Sequence, residues 1–161
     1  CVPMTFLDLF NGYMAYKFAE ALRKSNSGHS RRIKTKMVEV LFVGAGGFLG
    51  AIGRYLLAGA VYQLFPNSSF PSGTAVVNIL GCFLIGLLNG LFEVRQVFGP
   101  ETRLFLLIGV LGGFTTFSTF GFETLALMKD GEFLSAAMNV LVQVVLGLAA
   151  VFIGYSLLRP T

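Results

Sequence analysis

The feature that most constrains this chain is a succession of four long apolar stretches that carry almost no charge. They occupy residues 38–65, 73–92, 104–128 and 133–158. A bilayer core about 30 Å thick needs roughly 20 apolar residues in a helix that rises about 1.5 Å per residue. Each stretch reaches that length, and the short connections contain Pro, Gly, Asn and Ser, which are typical of turns. The pattern predicts an all-α integral membrane protein with four transmembrane helices.

The composition excludes several other classes of protein. The chain is 55% hydrophobic and only 12% charged, whereas soluble domains are about 45–50% apolar and roughly a quarter charged. Too few charges are present to cover a water-facing surface, which excludes a soluble enzyme and a disordered chain. The cysteines, Cys1 and Cys82, form neither a CxxC motif nor a metal-ligand spacing. The single histidine, His29, lies outside the apolar stretches, so we expect no membrane enzyme either.

The net charge of +4 is concentrated in residues 1–36. This segment carries seven Lys and Arg against two acidic residues, whereas residues 37–161 carry five against six. Apolar residues recur at helical spacing as far as Leu22, and a basic run follows over 23–36. This pattern fits an interfacial amphipathic helix with a basic tether that contacts anionic lipid headgroups rather than nucleic acid. A targeting presequence, or upstream residues before a membrane domain over 37–161, are the alternatives.

The charges in the loops predict only a weak preference for one orientation in the membrane. Counted from residue 37, three arginines would lie on one side, against one lysine and one arginine on the other. Under the positive-inside rule so small a difference permits insertion both ways round, and therefore an antiparallel homodimer. The basic segment 1–36 would favour an N-terminus inside the cell, which conflicts with free dual insertion.

Three polar residues within the apolar stretches are candidates for function. Arg54 and Glu123 are ionisable, and such residues in a membrane usually face a partner, a vestibule or an ion path. For Arg54, snorkelling toward the headgroups is the alternative. Asn78 interrupts the run AVVNIL over residues 75–80. Its amide either joins two helices by a hydrogen bond or donates into a pore.

The third stretch contains a segment that is unsuited to a continuous helix. Residues 112–120 read GGFTTFSTF, in which two glycines precede four hydroxyl residues. We therefore predict that the third helix is broken at mid-membrane, where freed backbone must be buried or must line a cavity. Freed carbonyl groups there could coordinate a small cation. Phe117 and Phe120 lie on one face, and their electropositive ring edges could hold an anion weakly enough to release it, although a core role is the default for a single Phe.

Glycines four residues apart predict close packing between helices in lipid. The pairs are Gly46 and Gly50, Gly86 and Gly90, and Gly109 and Gly113.

Three motifs, in this order, resemble the signatures of one family. They read GGFLGAIGRY over residues 46–55, GTAVVNILG over 73–81 and GGFTTFSTFGFE over 112–123. Together they are similar to the Fluc/CrcB fluoride channels, and the resemblance covers about residues 37–159, leaving 1–36 outside it. It implies a passive fluoride-selective channel that exports toxic fluoride across a bacterial plasma membrane. It also implies antiparallel pairing of two subunits, two fluoride pores and a structural sodium ion at the dimer centre.

The resemblance also implies roles for individual residues. Those that match the ion pathway are Asn78, Phe117, Phe120, Thr74, Thr116, Ser118 and Glu123. The sodium ion would be held by the backbone carbonyls of Gly112 and Thr115, and Arg54 would have a structural or vestibule role. The fourth helix departs from the family: Asn139, Gln143 and Gly147 stand where some members carry a tyrosine and serines. Asn139 and Gln143 lie one turn apart and could donate hydrogen bonds instead.

Two other functions are open to a protein of this shape and size. A coupled exporter of small molecules also uses four short helices and dual insertion, but it predicts an acidic residue at the centre of the first helix. Glu39 lies at the edge of that helix instead. A membrane scaffold without transport activity would leave the buried donors and the helix break unexplained. In the channel interpretation, Asn78, hydroxyl donors and the two ring edges replace the water around fluoride in a bore too narrow for chloride.

Overall fold

Helices make up most of the structure, a computed structural model that describes the backbone of residues 6–66, 68–95 and 99–158. Side chains are described at residue 17 and over 36–66, 68–93 and 99–158. No strand occurs within these ranges. The chain divides into two compact units, Cys1–Val40 and Leu41–Thr161.

Within the described residues, four segments are long and apolar enough to cross a membrane: Lys36–Leu64, Ser72–Glu93, Pro100–Lys129 and Phe133–Ser156. The helices that contain them are α1 (Phe6–Leu64), α2 (Ser72–Arg95), α3 (Pro100–Arg103), a π-helical segment (Leu104–Leu111), α4 (Gly112–Phe114), α5 (Phe117–Lys129) and α6 (Phe133–Ser156). The predicted all-α architecture with four transmembrane helices is confirmed.

The first unit consists of backbone that is helical from Phe6 onward. The sequence predicted a helix to about residue 22 and a basic tether after it. The helix instead continues through the basic run, since Lys and Arg are good helix formers. The predicted amphipathic face concerns side chains of residues 6–16 and 18–35, which lie outside the described residues. The division of the chain after residue 36 stays a prediction.

In the second unit, glycines bring α1 against the π-helical segment at backbone distance. A Cβ atom on Gly46 would lie 2.5 Å from the carbonyl oxygen of Phe105 and 2.9 Å from the Cα of Gly109. A Cβ atom on Gly50 would collide with the carbonyl oxygen of Val110. Only glycine permits so close an approach, and such approaches are a main source of helix association in lipid. The close packing predicted for this pair of glycines is confirmed.

Glycines also allow close backbone contact between α2 and α6. A Cβ atom on Gly90 would lie 2.8 Å from the carbonyl oxygen of Tyr155, and one on Gly86 would collide with the carbonyl of Val151. Val77 of α2 and Asn139 of α6 are fully buried.

The third span is irregular in two places. Leu104–Leu111 is π-helical, a wider turn that the sequence did not predict and that is frequent at functional sites. Between α4 and α5 the chain is extended, with ψ 157° at Thr115 and φ −148° at Thr116. The predicted break in the third helix is therefore confirmed, at Thr115 and Thr116.

A Schellman motif ends α5 and turns the chain into α6. Gly131 adopts φ 78°, and its N–H donates to the carbonyl of Met128 at 3.2 Å while that of Glu132 donates to Leu127 at 2.8 Å. Glycine is favoured here because side chains are strained at positive φ.

Candidate functional site

Asn78 joins α2 to the break in the third span. Its side-chain carbonyl accepts from the backbone N–H of Thr116 at 2.8 Å. Its amide nitrogen donates to the carbonyl oxygen of the same residue at 3.1 Å. A buried polar group left unpaired costs about 1–3 kcal/mol, so Asn78 stabilises backbone that the break exposes. Of the two roles considered for this residue, the hydrogen bond between helices is the one that these contacts provide.

The break releases two carbonyl groups from helical hydrogen bonding. In a continuous helix, the N–H of Thr116 would reach the carbonyl of Gly112, and that of Thr119 would reach Thr115. Instead they donate to Asn78, as above, and to the Thr116 hydroxyl at 3.2 Å. The carbonyls of Gly112 and Thr115, to which the family resemblance gives a cation, have therefore lost their helical partners.

Arg54 lies at this break. Its Nη1 donates to the carbonyl oxygen of Thr115 at 3.3 Å, and the residue is half-buried.

Hydroxyl groups cap the start of α5. The Thr116 hydroxyl donates to the Oγ1 of Thr119 at 2.9 Å and lies 3.3 Å from the Oγ of Ser118. Thr116 is buried, whereas Ser118 is exposed. This cluster supplies the N-cap that a new helix requires.

A second cluster connects α1, α2 and α5 around one carboxylate. The Oε1 of Glu123 accepts from the Thr74 hydroxyl at 2.7 Å and from the Tyr62 hydroxyl at 2.9 Å. The Oε2 atom is buried and has no hydrogen-bond partner among the described residues. Sequence reasoning found Thr74 and Glu123 but missed Tyr62, because no spacing along α1 relates that residue to the other two.

A line of hydrogen bonds leads from Asn78 along α6. The Asn78 amide donates to the Oε1 of Gln143 at 2.7 Å, and Gln143 donates to the Oδ1 of Asn139 at 2.7 Å. Asn139 donates to the Thr124 hydroxyl at 2.8 Å, which donates to the Phe120 carbonyl at 2.8 Å. The shared face predicted for Asn139 and Gln143 is confirmed. Thr124 was missed, because an intrahelical role is the default for a threonine in a helix.

A cavity of about 340 Å³ lies beside the break. Residues that border it include Asn78, Gln143, Cys82, Gly112, Thr115, Thr116, Phe117 and Phe120. The rings of Phe117 and Phe120 are 5.4 Å apart between centroids and tilted by 49°. Phe117 is 84% exposed in the single chain. The predicted residues Thr74, Ser118, Glu123 and Arg54 do not border this cavity.

The described residues contain no group of three or more His, Cys, Asp or Glu side chains that could hold a metal ion. Within this part of the chain, backbone carbonyls at the break are the candidate ligands for a cation.

Four membrane-crossing helices, with one of them broken beside a cavity that amides and rings border, define a multi-pass integral membrane protein with an irregular, polar interior segment. Over residues 41–155 the chain matches the family described as "CrcB-like protein, Camphor Resistance (CrcB)", and it belongs to that family. The resemblance read from the three motifs is thereby confirmed.

Three relatives illustrate the match, each named fluoride-specific ion channel FluC. The protein of Elusimicrobium minutum is 47% identical over 121 residues, which are 75% of this chain and 94% of that protein. The protein of Geobacter sulfurreducens is 48% identical over 118 residues, 73% of this chain and 94% of its own length. That of Geobacter metallireducens is 49% identical over 119 residues, which are 73% of this chain and 94% of that protein. The relatives are named as channels, which confirms that the family is not one of enzymes.

Proposed function

We propose that this protein is a passive, fluoride-selective channel that exports toxic fluoride across the membrane. Membership of the CrcB-like family and the names of its relatives support this function. The observation that carries it in this chain is the cavity beside the helix break, which Asn78, Phe117 and Phe120 border together.

Weak binding groups suit rapid passage of an anion. At an effective dielectric constant of about 20, a cation about 4 Å away would attract an anion by about 4 kcal/mol. Release would then slow by about a thousandfold, since each 1.4 kcal/mol is about a factor of ten. Ring edges and neutral donors attract less strongly. Fluoride would therefore exchange its hydration water for the Ser118 hydroxyl, amide groups and the edges of the two rings. Thr116, whose hydroxyl donates to Thr119, would shape the passage.

The mouth of the pathway would be formed by Thr74 and Glu123. Tyr62 and Thr74 both donate to the same carboxylate oxygen, which keeps the acidic group in a fixed position.

A second copy of the chain would complete the site. Phe117 is 84% exposed in the single chain. A ring that contacts an ion in a dehydrated passage must be covered, so another surface has to pack against it. Antiparallel pairing of two copies would supply that surface and would give two pores. The nearly balanced loop charges are consistent with insertion in both orientations.

The break also suits the sodium ion that the family implies. The carbonyls of Gly112 and Thr115 have lost their helical partners, and carbonyl oxygens of unwound helices coordinate sodium ions. The carbonyl of Thr115 accepts from Arg54 at 3.3 Å, and its second lone pair remains for a cation. Two such carbonyls from each of two copies would hold the ion, whose positive charge would offset the dipoles of four carbonyls at the interface.

The cellular setting proposed is the bacterial plasma membrane. Residues 1–36 would lie against anionic lipid headgroups through their seven basic side chains, with no role in nucleic-acid binding.

An efflux assay tests the function. Liposomes that contain the purified protein and potassium fluoride are given valinomycin, and external fluoride is followed with a selective electrode. We expect fast release of fluoride, little release of chloride in matched vesicles, and no need for a proton gradient. Equal release of both halides would contradict the proposed selectivity. Transport that stops when the proton gradient is abolished would favour a coupled exporter.

A further inference from the structure

The hydrogen bonds that run from the break along α6 have a fixed direction. The first donor is the backbone N–H of Thr116, which cannot accept, and the last acceptor is the carbonyl of Phe120, which cannot donate. Between these ends lie three side-chain amides and one hydroxyl. Each amide accepts with its oxygen on the side of Thr116 and donates with its nitrogen on the side of Phe120.

Because both ends are backbone groups, no amide in this line can turn over alone. A flip of Asn78 or Gln143 would place oxygen against oxygen at one contact and N–H against N–H at the other. A flip of Asn139 would place N–H against N–H at Gln143 and would turn the Thr124 hydroxyl away from the carbonyl of Phe120. Asn139, at the middle of the line, is 0% exposed, so water cannot replace a lost partner. The orientation of every amide is therefore set by its neighbours.

The line also determines which donor is left for a ligand in the cavity. Both N–H groups of Asn78 are used, on the carbonyl of Thr116 and on the Oε1 of Gln143. Gln143 donates one of its two N–H groups to Asn139, and the other has no partner among the described residues. Gln143 borders the cavity, whereas Asn139 and Thr124 do not.

We propose that Thr124 and Asn139 are positioning residues that hold the Gln143 amide with its nitrogen, and not its oxygen, available to an anion in the cavity. The proposal rests on the proposed function, since it takes the ligand to be the permeating anion. With the opposite orientation the Gln143 oxygen would take the place of the N–H and would repel the ion. Thr124 and Asn139 thus act on the anion through Gln143 and without touching it.

Thr124→Val tests this directly, because it removes the hydroxyl and keeps the shape of the side chain. Asn139 then loses its acceptor, so Asn139 and Gln143 are held in one direction only from the side of Asn78, which Thr116 orients. We expect fluoride efflux from liposomes to fall about tenfold, the change that corresponds to losing one hydrogen bond. Thr124→Ser keeps the hydroxyl and should restore most of the efflux. Asn89→Ala is the matched control, since Asn89 is exposed and its amide, among the described residues, bonds within its own helix, at the carbonyl of Ile85.

A spectroscopic measurement separates positioning from a general structural effect. In the wild-type channel, the 15N side-chain amide signal of Gln143, assigned through Gln143→Met, should be single and should shift on addition of fluoride. In Thr124→Val it should split or lose the response to fluoride, while in Thr124→Ser it stays as in the wild type. Asn139→Ala, which removes the amide without enlarging the side chain, should give the same result as Thr124→Val and serves where that variant does not fold.

Unchanged efflux together with a single, fluoride-responsive Gln143 signal in Thr124→Val would overturn the proposal. Failure of the proposed function has a different signature. A wild-type protein that releases no fluoride would refute the channel, and the number of Gln143 amide signals in Thr124→Val would still decide whether the line of hydrogen bonds fixes its orientation.

Discussion

At the break, one side chain can both bond to the unwound backbone and border the proposed pathway. Asn78 completes the hydrogen bonding of both backbone groups of Thr116, its N–H and its carbonyl, and borders the cavity as well. An amide is suited to this position because it both donates and accepts. A carboxylate of similar size has no donor, and a hydroxyl has one proton where Asn78 donates twice.

For Asn78→Asp we expect a loss of efflux and of stability. The variant still accepts from the N–H of Thr116, but its oxygen faces the carbonyl of Thr116 and the Oε1 of Gln143. Leaving such acceptors unpaired costs about 1–3 kcal/mol each. Fluoride efflux and the melting temperature in detergent should both fall. Asn89→Asp is the control, and equal behaviour of the two variants would contradict the role given to Asn78.

For Phe117→Ile we expect a different pattern. Phe117 is 84% exposed in the single chain, so its replacement should change the stability of the fold by less than about 0.5 kcal/mol. An aliphatic side chain has no electropositive ring edge. Fluoride efflux should therefore be suppressed while size-exclusion chromatography shows an unchanged dimer. Unchanged efflux would remove this ring from the mechanism.

At the level of helices, backbone contact at glycine positions fixes where the third span lies against α1. Gly46 and Gly50 lie against Phe105, Gly109 and Val110 of the π-helical segment. The wider π-helical turn and the break both lie in this span, and both leave backbone groups that neighbouring helices must satisfy. Close packing here therefore supports the geometry of the break.

Gly50→Ala tests the packing of these helices. The added methyl group would meet the carbonyl of Val110 and the Phe114 nitrogen, and overpacking of this kind costs about 1–3 kcal/mol. The melting temperature in detergent should fall. Gly44 lies on the same helix with nothing within 4 Å of an added Cβ atom, so Gly44→Ala should be neutral or stabilising. A fall of equal size in both variants would argue against helix contact as the cause.

At the level of the whole molecule, the proposed dimer depends on a cation between freed carbonyls. Replacing sodium with N-methylglucamine should lower the dimer fraction in detergent and the rate of fluoride efflux, since the carbonyl dipoles of two copies would then repel one another. Adding sodium back should restore both. An unchanged dimer and unchanged efflux without sodium would contradict the site proposed at Gly112 and Thr115.

Deleting residues 1–36 should leave conduction intact. The hydrogen bonds described for the site join residues between Arg54 and Gln143, and the family match begins at residue 41. Equal amounts of full-length and shortened protein should therefore release fluoride from liposomes at equal rates. Loss of efflux would make the segment part of the channel, and reduced binding to anionic vesicles alone would support its role at the lipid surface.

The amino-acid sequence by itself determined the four membrane spans, the break in the third of them and the glycines at helix contacts. These follow from local properties: apolar length, helix propensity and the absence of a side chain. Only the tertiary structure decided which partners Asn78 has, that Tyr62 joins Thr74 at Glu123, and that Thr124 ends a line of amides. Those contacts join residues up to 65 positions apart, and no periodicity along one helix specifies which face of another it will meet.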